Sequence, residues 1–299
     1  MISMKRKAWL FSLLPLMALA LMTGAVFRPL GAQAANVKAN QPHTLGVKSQ
    51  RASQHPRQAN LTYHGGPVVG GTMVAYAIFW QPTGKSVPPG YNNLILRYFA
   101  DIGGSKLFHN DTQYKSSNGQ FPSNATLGGS WVDRQSYGGK FLIDTQIQAE
   151  VTHAQKVNGW TSTLKHAFFV FTVKGEIICF DASHRQCSNN VFCAYHSNFG
   201  NTLYASMPDV GVCGTPTSPN HDPEGDSTVD STSHEQNEIA TDPQGTAWFD
   251  SSGAEIGDKC STSYGPLNPD GSNIVINGNP YIVQEEWDNA KHHCEIAGP

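Results

Sequence analysis

Beyond its first 34 residues, the chain lacks a long apolar run, a cluster of basic residues, an internal repeat and a low-complexity tract. Those 34 residues hold four of the 20 basic residues and no acidic one. The rest therefore carries 16 basic and 23 acidic residues, a net charge of −7. An acidic surface without a basic cluster argues against nucleic acid and against an anionic membrane as partners. Because no further apolar run of spanning length follows, no membrane partner is expected after removal of the N-terminal segment.

The N-terminal segment has the three parts of a secretory signal peptide. Lys5-Arg6-Lys7 is a basic start, an apolar run follows over 8–27, and Ala32-Gln33-Ala34 is a small-x-small cleavage site. The apolar run approaches the length that spans a bilayer, so an uncleaved N-terminal anchor is the alternative. The cleavage tripeptide favours a signal peptide over 1–34 and a secreted, extracellular product.

Two regions follow the signal segment. Residues 35–60 are rich in Gln, Asn, Ala, Ser and Lys, which predicts a disordered spacer or a removable pro-segment. Residues 61–299 are sufficient for one extracellular domain. This region contains all the cysteines: Cys179, Cys187, Cys193, Cys213, Cys260 and Cys294. Their even number in an exported chain predicts three disulfides and no free thiol, and Cys187 and Cys193 are near enough to close a small loop.

Periodicity predicts an α+β domain. Apolar and β-branched runs predict buried strands at 74–80 and 167–173, and a weaker strand at 202–207. Apolar residues at three- or four-residue spacing predict helices over 91–102 and 145–157. Extended pieces are expected at 108–117 and 125–133, and short strands at 246–250, 273–276 and 281–287. This order resembles the layout of zincin catalytic domains, in which a mixed sheet backs a metal-binding helix.

The most informative motif is H-E-x-x-E, His234-Glu235-Gln236-Asn237-Glu238. On a helix, positions i and i+4 project from one face, so His234 and Glu238 can reach one metal ion. Glu235 then lies beside the open coordination position, where a general base for water belongs. Zinc accepts carboxylate as well as imidazole, so the absent second histidine of H-E-x-x-H is compatible with a zinc site. A solvent-facing acidic helix is the alternative.

The S-x-x-D sequence at 227–230 predicts that the helix starts near 228, and Pro243 predicts its end near 241.

A catalytic zinc ion needs three protein ligands, and two residues are candidates for the third. Asp258 follows Glu238 by twenty residues, a distance comparable to that of the acidic third ligand of gluzincin peptidases. Its alternative role is to cap a turn after Gly257. His196 lies in an aromatic segment bounded by a cysteine, and its alternative is a hydrogen-bonded histidine of the core.

A second, weaker metal prediction concerns calcium. The loop at 220–227 has alternating carboxylates at Asp222, Glu224 and Asp226, and oxygen-rich loops of this kind bind calcium in secreted proteins. The rest of the helix–loop–helix calcium pattern is missing. An ordinary polar loop is therefore the favoured interpretation.

Several short sequences resemble, in one order, the EXORDIUM or phosphate-induced protein family. They are Y-H-G-G-P-V at 63–68, F-C-A-Y-H at 192–196, D-S-T-V-D at 226–230, S-H-E-x-x-E at 233–238, A-W-F-D at 247–250 and E-I-G-D-K-C at 255–260. The resemblance covers most of 61–294 and is closer to bacterial secreted relatives than to plant members. It implies an extracellular or cell-wall-associated protein and no particular reaction.

Two functions from different classes follow. The first is a secreted zinc-dependent hydrolase, in the first place a metallopeptidase, whose partner is an extracellular peptide or protein. The second is a non-catalytic EXORDIUM-like protein that acts as a binding or signalling module on a cell-wall component. Metal content separates the two, because a metal site with an open position indicates an enzyme.

We expect secreted material to begin at Ala35, because cleavage follows the small-x-small tripeptide, and to contain no free thiol. Intact-mass spectrometry gives the first residue, and thiol titration of the denatured protein counts free cysteines. A secreted chain that retains 1–34, or several reactive thiols, would contradict this expectation.

Overall fold

Strand-forming runs of β-branched and aromatic residues build a six-stranded mixed sheet at the centre of the domain. The computed structural model describes residues 43–46, 59–139, 141–208 and 213–299. They belong to one unit that extends over Lys38–Pro299. The predicted signal peptide at 1–34, and most of the predicted spacer at 35–60, lie outside the described residues.

The strands of the described ranges are β1 (His43–Gly46), β2 (Thr62–Tyr63), β3 (Gly71–Trp80), β4 (Pro122–Asp133), β5 (Phe141–Ile143), β6 (His166–Thr172), β7 (Ile177–Cys179), β8 (Phe192–Phe199), β9 (Thr202–Met207), β10 (Trp248–Phe249), β11 (Ile274–Ile276), β12 (Asn279–Tyr281), β13 (Glu286–Asp288) and β14 (His293–Glu295). The helices are α1 (Tyr91–Asp101), α2 (Lys106–His109), α3 (Asp144–Asn158) and α4 (Pro223–Thr241), with 3₁₀ turns at Asn110–Gln113 and Asp258–Cys260.

The central sheet has the strand order β1-β8-β9-β6-β3-β4. Strands β9, β6, β3 and β4 run parallel, whereas β8 runs antiparallel to β9 and β1 antiparallel to β8. The antiparallel strands therefore lie together at one end of the sheet. Four small pairs, β2 with β10, β5 with β7, β11 with β12 and β13 with β14, lie outside it.

Alternation along the strands distributes apolar side chains to both faces of the sheet. Ala77 and Phe79 of β3 pack in one cluster with residues of α1 and α4. Ile78 between them packs in a second cluster with residues of α3. Helices thus cover both faces, because each face of a largely parallel sheet must be removed from water. The mixed α+β class and the single domain of the prediction are confirmed.

The periodic elements match their predictions closely. Helices α1 and α3 lie where the apolar spacing places them, and α3 is closed by Gly159 in a left-handed conformation, φ 70°. The expectation of an extended piece at 108–117 is wrong. Ser105 caps α2 there by accepting a hydrogen bond from the backbone N–H of Phe108 at 3.1 Å, and a 3₁₀ turn follows. No helix of the described residues is long and apolar enough to cross a membrane.

Strand β1 lies within the region predicted as a disordered spacer or pro-segment. Its four residues, His43–Gly46, pair with β8. Composition missed it because backbone pairing with an existing strand needs little apolar content in the added segment.

Three disulfides are present, as predicted: Cys179–Cys187, Cys193–Cys213 and Cys260–Cys294. None of the described cysteines is free. Cys187 and Cys193, which the spacing placed in one small loop, have different partners. Because Cys193 begins β8 and Cys260 ends the 3₁₀ turn after Asp258, two of the bridges hold segments beside α4.

A buried carboxyl pair joins α3 to β4. The carboxyl group of Glu150 is buried next to Asp133, and the ring of His153 lies 3.5 Å from Asp133 Oδ2. Burial raises the pKa of Glu150 to about 8, and the charge of Asp133 contributes to this rise. Glu150 therefore keeps its proton at neutral pH in the folded protein and loses it in the unfolded chain.

The substitution Glu150→Gln should stabilise the protein increasingly as the pH rises from 5 to 9. Because the folded-state pKa is raised, the folded wild type binds more protons than the unfolded chain between about 4.5 and 8, and its stability falls across that window. Glutamine does not ionise, so its advantage should grow by on the order of 2 kcal/mol. Urea unfolding at the two pH values measures it, with Glu295→Gln, at a partly exposed glutamate, as control. A difference in stability between variant and wild type that does not change with pH would contradict the raised pKa of Glu150.

Candidate metal centre

Helix α4, which carries the H-E-x-x-E motif, is buried along nearly its whole length although most of its residues are polar. It begins earlier than predicted. Asp222 caps it by accepting a hydrogen bond from the backbone N–H of Gly225 at 3.0 Å, and Pro223 occupies the first turn. Asp230, the acidic residue of the S-x-x-D sequence, lies inside the helix and accepts hydrogen bonds from Tyr264 and from the backbone N–H of Gln284. The predicted end at Thr241 is confirmed.

Two of the three carboxylates proposed for calcium stabilise the start of the helix. Asp222 is the cap, and Asp226 accepts hydrogen bonds from Ser218 at 2.7 Å and from the Asn220 side chain at 2.6 Å. Among the described residues, Asp222, Glu224 and Asp226 are not part of any group of three closely spaced potential ligands.

His234, Glu238 and Asp258 meet at one point. Their nearest ligand atoms lie within 4.8 Å of one another. His234 Nε2 is 3.0 Å from Glu238 Oε1 and 3.8 Å from Asp258 Oδ1. The 3₁₀ turn brings Asp258 there, and its backbone N–H donates to Glu238 Oε1 at 3.1 Å. The i, i+4 pair and the residue twenty positions later thus come together as the sequence pattern predicts.

His196 and Glu235 form the other half of the cluster. His196 lies on β8, and its Nδ1 is 3.0 Å from Glu235 Oε2 and 3.5 Å from Glu238 Oε2. Its Nε2 is 3.8 Å from Glu255 Oε1. His196, Glu235 and Glu238 make a second group with ligand atoms within 4.8 Å. The two groups share Glu238, whose two oxygens face different imidazoles.

Glu255 is the member of the cluster that sequence analysis missed. It stands in the same short sequence as Asp258, three residues before it, and its backbone N–H donates to Asp258 Oδ2 at 3.3 Å. The presence of a second acid in that sequence was the signal available. Its convergence on His196 depends on how β8 and the 260–294 disulfide region pack, which the sequence does not encode locally.

The charges in the cluster are unbalanced. Four carboxyl groups, those of Glu235, Glu238, Glu255 and Asp258, face two imidazoles, and all but Asp258 are almost completely buried. Burial raises the pKa of Glu235 and of Glu255, and it raises the pKa of Asp258 to about 7. Carboxylates removed from water in this number require protons or a cation to compensate their charge.

The pKa values of the two imidazoles are raised, although burial by itself lowers the pKa of a histidine. Burial by itself would lower the pKa of His234, but the adjacent Glu238 carboxylate raises it well above the ordinary value. His196 behaves in the same way, with Glu255 as the largest opposing charge. Glu238 would gain a higher pKa from burial, yet the imidazole of His234 lowers it. Glu238 is therefore a carboxylate held between two positive or cation-bound neighbours.

The residues present fit a zinc ion. Ligand atoms bound tetrahedrally at ~2.0–2.1 Å lie about 3.3 Å apart, close to the separation of His234 Nε2 and Glu238 Oε1. These two atoms lie at ion-pair distance, and His234 Nδ1 has no hydrogen-bond partner despite complete burial. A buried polar atom without a partner calls for a water molecule or an ion beside it. One nitrogen and two carboxylates match the His/Glu/Asp ligand chemistry of zinc.

No protein-family model, curated protein or solved structure matches this chain. The resemblance to the EXORDIUM family therefore stays a prediction from the sequence.

Gly257 holds the ring of His234 in position. Its backbone has φ −77° and ψ −43°, a conformation open to any residue. A Cβ atom at this position would nevertheless lie 2.5 Å from His234 Nδ1. The close approach of backbone to ring, rather than backbone conformation, requires glycine here.

The substitution Gly257→Ala should destabilise the protein by about 1–3 kcal/mol, because the methyl group displaces the His234 ring or the turn that carries Asp258. Urea unfolding measures this cost. Gly139→Ala is the matched control, since its added Cβ would meet its nearest atom at 3.7 Å, an ordinary contact. Equal stability of the two variants would show that the His234 ring does not pack closely against Gly257.

Proposed function

We propose that this domain is a secreted zinc-dependent hydrolase that cleaves peptide bonds. The observation that carries the proposal is the convergence of His234, Glu238 and Asp258 on one buried point, with Glu235 beside it. His234, Glu238 and Asp258 would hold the zinc ion, and a zinc ion with three protein ligands keeps a fourth position for water or substrate. Zinc in such a site acts as a Lewis acid and lowers the pKa of a water molecule toward ~7.

Glu235 is assigned as the general base rather than as a ligand. It is paired with His196 at 3.0 Å, which orients its carboxylate, and burial raises its pKa toward the range useful for proton transfer. Glu235 accepts a proton from water while the water oxygen forms a bond to the peptide carbonyl carbon. When the C–N bond breaks, Glu235 delivers that proton to the leaving amine, and the carboxylic acid and amine formed exchange a proton to leave as carboxylate and ammonium.

Secretion is supported by the three disulfides, which form and persist in oxidising compartments. The signal peptide predicted at 1–34 points the same way. We propose an extracellular location on these two grounds, with extracellular peptide or protein as the substrate.

A metal of purely structural role is the competing function. Structural zinc sites are closed and fully ligated, and the cluster around Glu238 is almost completely buried. A domain of this kind would be a non-catalytic extracellular module, in line with the EXORDIUM resemblance. Substitution of Glu235 separates the two functions, because it should abolish turnover in the enzyme and change nothing measurable around a structural metal.

The substitution Glu235→Gln should abolish hydrolysis of fluorescein-labelled casein while zinc content and melting temperature stay near those of the wild type. His234→Ala should lose both zinc and activity, because it removes a ligand. Zinc is measured by mass spectrometry of the purified protein, and His109→Ala, an exposed histidine on α2, is the control. If His234→Ala removed zinc and lowered stability but the wild type cleaved no substrate, the structural function would stand and the enzyme would not.

A further inference from the structure

We propose that the side of β8 opposite β9 is the docking site for a substrate peptide in extended conformation. In the full chain, His43–Gly46 of β1 occupies this site. The proposal rests on the proposed peptidase function, which it deepens by naming the form of the substrate and where its backbone binds. Without β1, strand β8 would end the central sheet. An edge strand presents unpaired N–H and C=O groups that accept another extended chain.

The occupied edge lies beside the cluster around Glu238. In the antiparallel pair of β1 and β8, His43 stands opposite His196, followed by Thr44 opposite Tyr195 and Leu45 opposite Ala194. His196 is the residue of β8 whose ring contacts Glu235. A peptide backbone in the position of β1 therefore lies opposite His196, the residue that contacts the general base Glu235.

Strand β1 also lies next to the other elements of the cluster. Its Cα atoms come within 8 Å of α4, which carries the motif, and of the 3₁₀ turn Asp258–Cys260. It is thus bordered by β8, α4 and the turn that supplies Asp258. A peptide that replaced β1 would be enclosed by the elements that carry His196, Glu235 and Asp258.

The occupant can leave without loss of the core. Among the described residues β1 pairs with β8 alone, and the sheet continues from β8 through strands that are not hydrogen-bonded to β1. Downstream, Asn60 and Leu61 tie the chain to Asn289 by three hydrogen bonds, so the domain is anchored independently of β1. Backbone pairing with β8 is also independent of side chains, which permits one extended sequence to replace another.

The burial of the cluster has a direct explanation in this arrangement. His234 and Glu235 are 0% exposed, and Asp258, with a quarter of its side chain exposed, is the most accessible member. With β1 in place, the chain holds its own pro-segment in the position of the substrate. Displacement or cleavage of residues before 59 would open the edge, so the full chain is the inhibited form.

The test uses the double substitution Thr44→Pro with Leu45→Pro in the full secreted chain. One of two successive strand residues must direct its N–H toward β8, and proline removes that donor. A fluorescein-labelled peptide with the sequence of 41–48 should bind this variant about tenfold more tightly than the wild type, because an occupied edge reduces apparent affinity by the fraction of free molecules. Binding is measured by fluorescence anisotropy with Glu235→Gln added, so that the peptide is not cleaved.

With Glu235 intact, the Thr44→Pro, Leu45→Pro variant should hydrolyse labelled casein about tenfold faster than the wild type. The control is Lys48→Pro with Ser49→Pro, the same change four residues later and outside β1. Thr44→Gly with Leu45→Gly, which keeps both amides and lowers strand propensity, replaces the prolines if they impair folding.

The outcomes separate the two proposals. Tighter peptide binding by the β1 variant, with or without hydrolysis, supports the docking edge, and binding without any hydrolysis overturns only the enzyme. Casein hydrolysis at equal rates in all chains, with unchanged peptide affinity, overturns the docking edge and leaves the enzyme standing. Equal activation by the control variant at 48 and 49 also overturns it, because β1 would then not be the inhibiting element.

Discussion

The carboxylate of Glu238 is the group on which the rest of the site depends. One of its oxygens faces the ring of His234 at 3.0 Å and the other faces that of His196 at 3.5 Å. A carboxylate in this position, removed from water, is stable only between cationic or cation-bound neighbours. Its i, i+4 relation to His234 comes from the helix, whereas its relation to His196 comes from the packing of α4 across β8. Helix, strand and turn must therefore be in place together before this charge can be buried.

The fold meets this requirement by surrounding a polar helix with rigid elements. Strand β8, held at its start by the Cys193–Cys213 bridge, supplies His196. The turn that supplies Asp258 is held by Cys260–Cys294, and Gly257 allows it to approach the His234 ring. Two covalent links thus border the cluster on separate sides. A polar helix would ordinarily lie at the surface; here the interactions among its buried acids, imidazoles and neighbouring backbone groups replace those with water.

Helices with a regular spacing of apolar residues could be predicted from the sequence. Elements that form through pairing or packing with distant residues could not. Helix α1 follows from apolar spacing, and α3 follows from apolar spacing and the terminal Gly159. Strand β8 was not recognised because Cys193, His196 and Ser197 interrupt the apolar pattern that marks a buried strand. Strand β1 was taken for disordered spacer because its pairing is made by backbone groups. The cap of α4 was placed too late, since Asp222 in the preceding loop and not Ser227 begins the helix.

The sequence by itself determined the residue types of the candidate site, the spacing of His234 and Glu238, and the region from which Asp258 comes, because helical periodicity and local turns are short-range properties. It also indicated that cysteines would link the domain, since their number is even and the N-terminal segment predicts export. Only the tertiary structure decided that His196 pairs with Glu235, that Glu255 joins the cluster and that the edge of β8 is occupied. Those relations join residues far apart along the chain, and their geometry depends on how helices and strands pack rather than on any local pattern of residues.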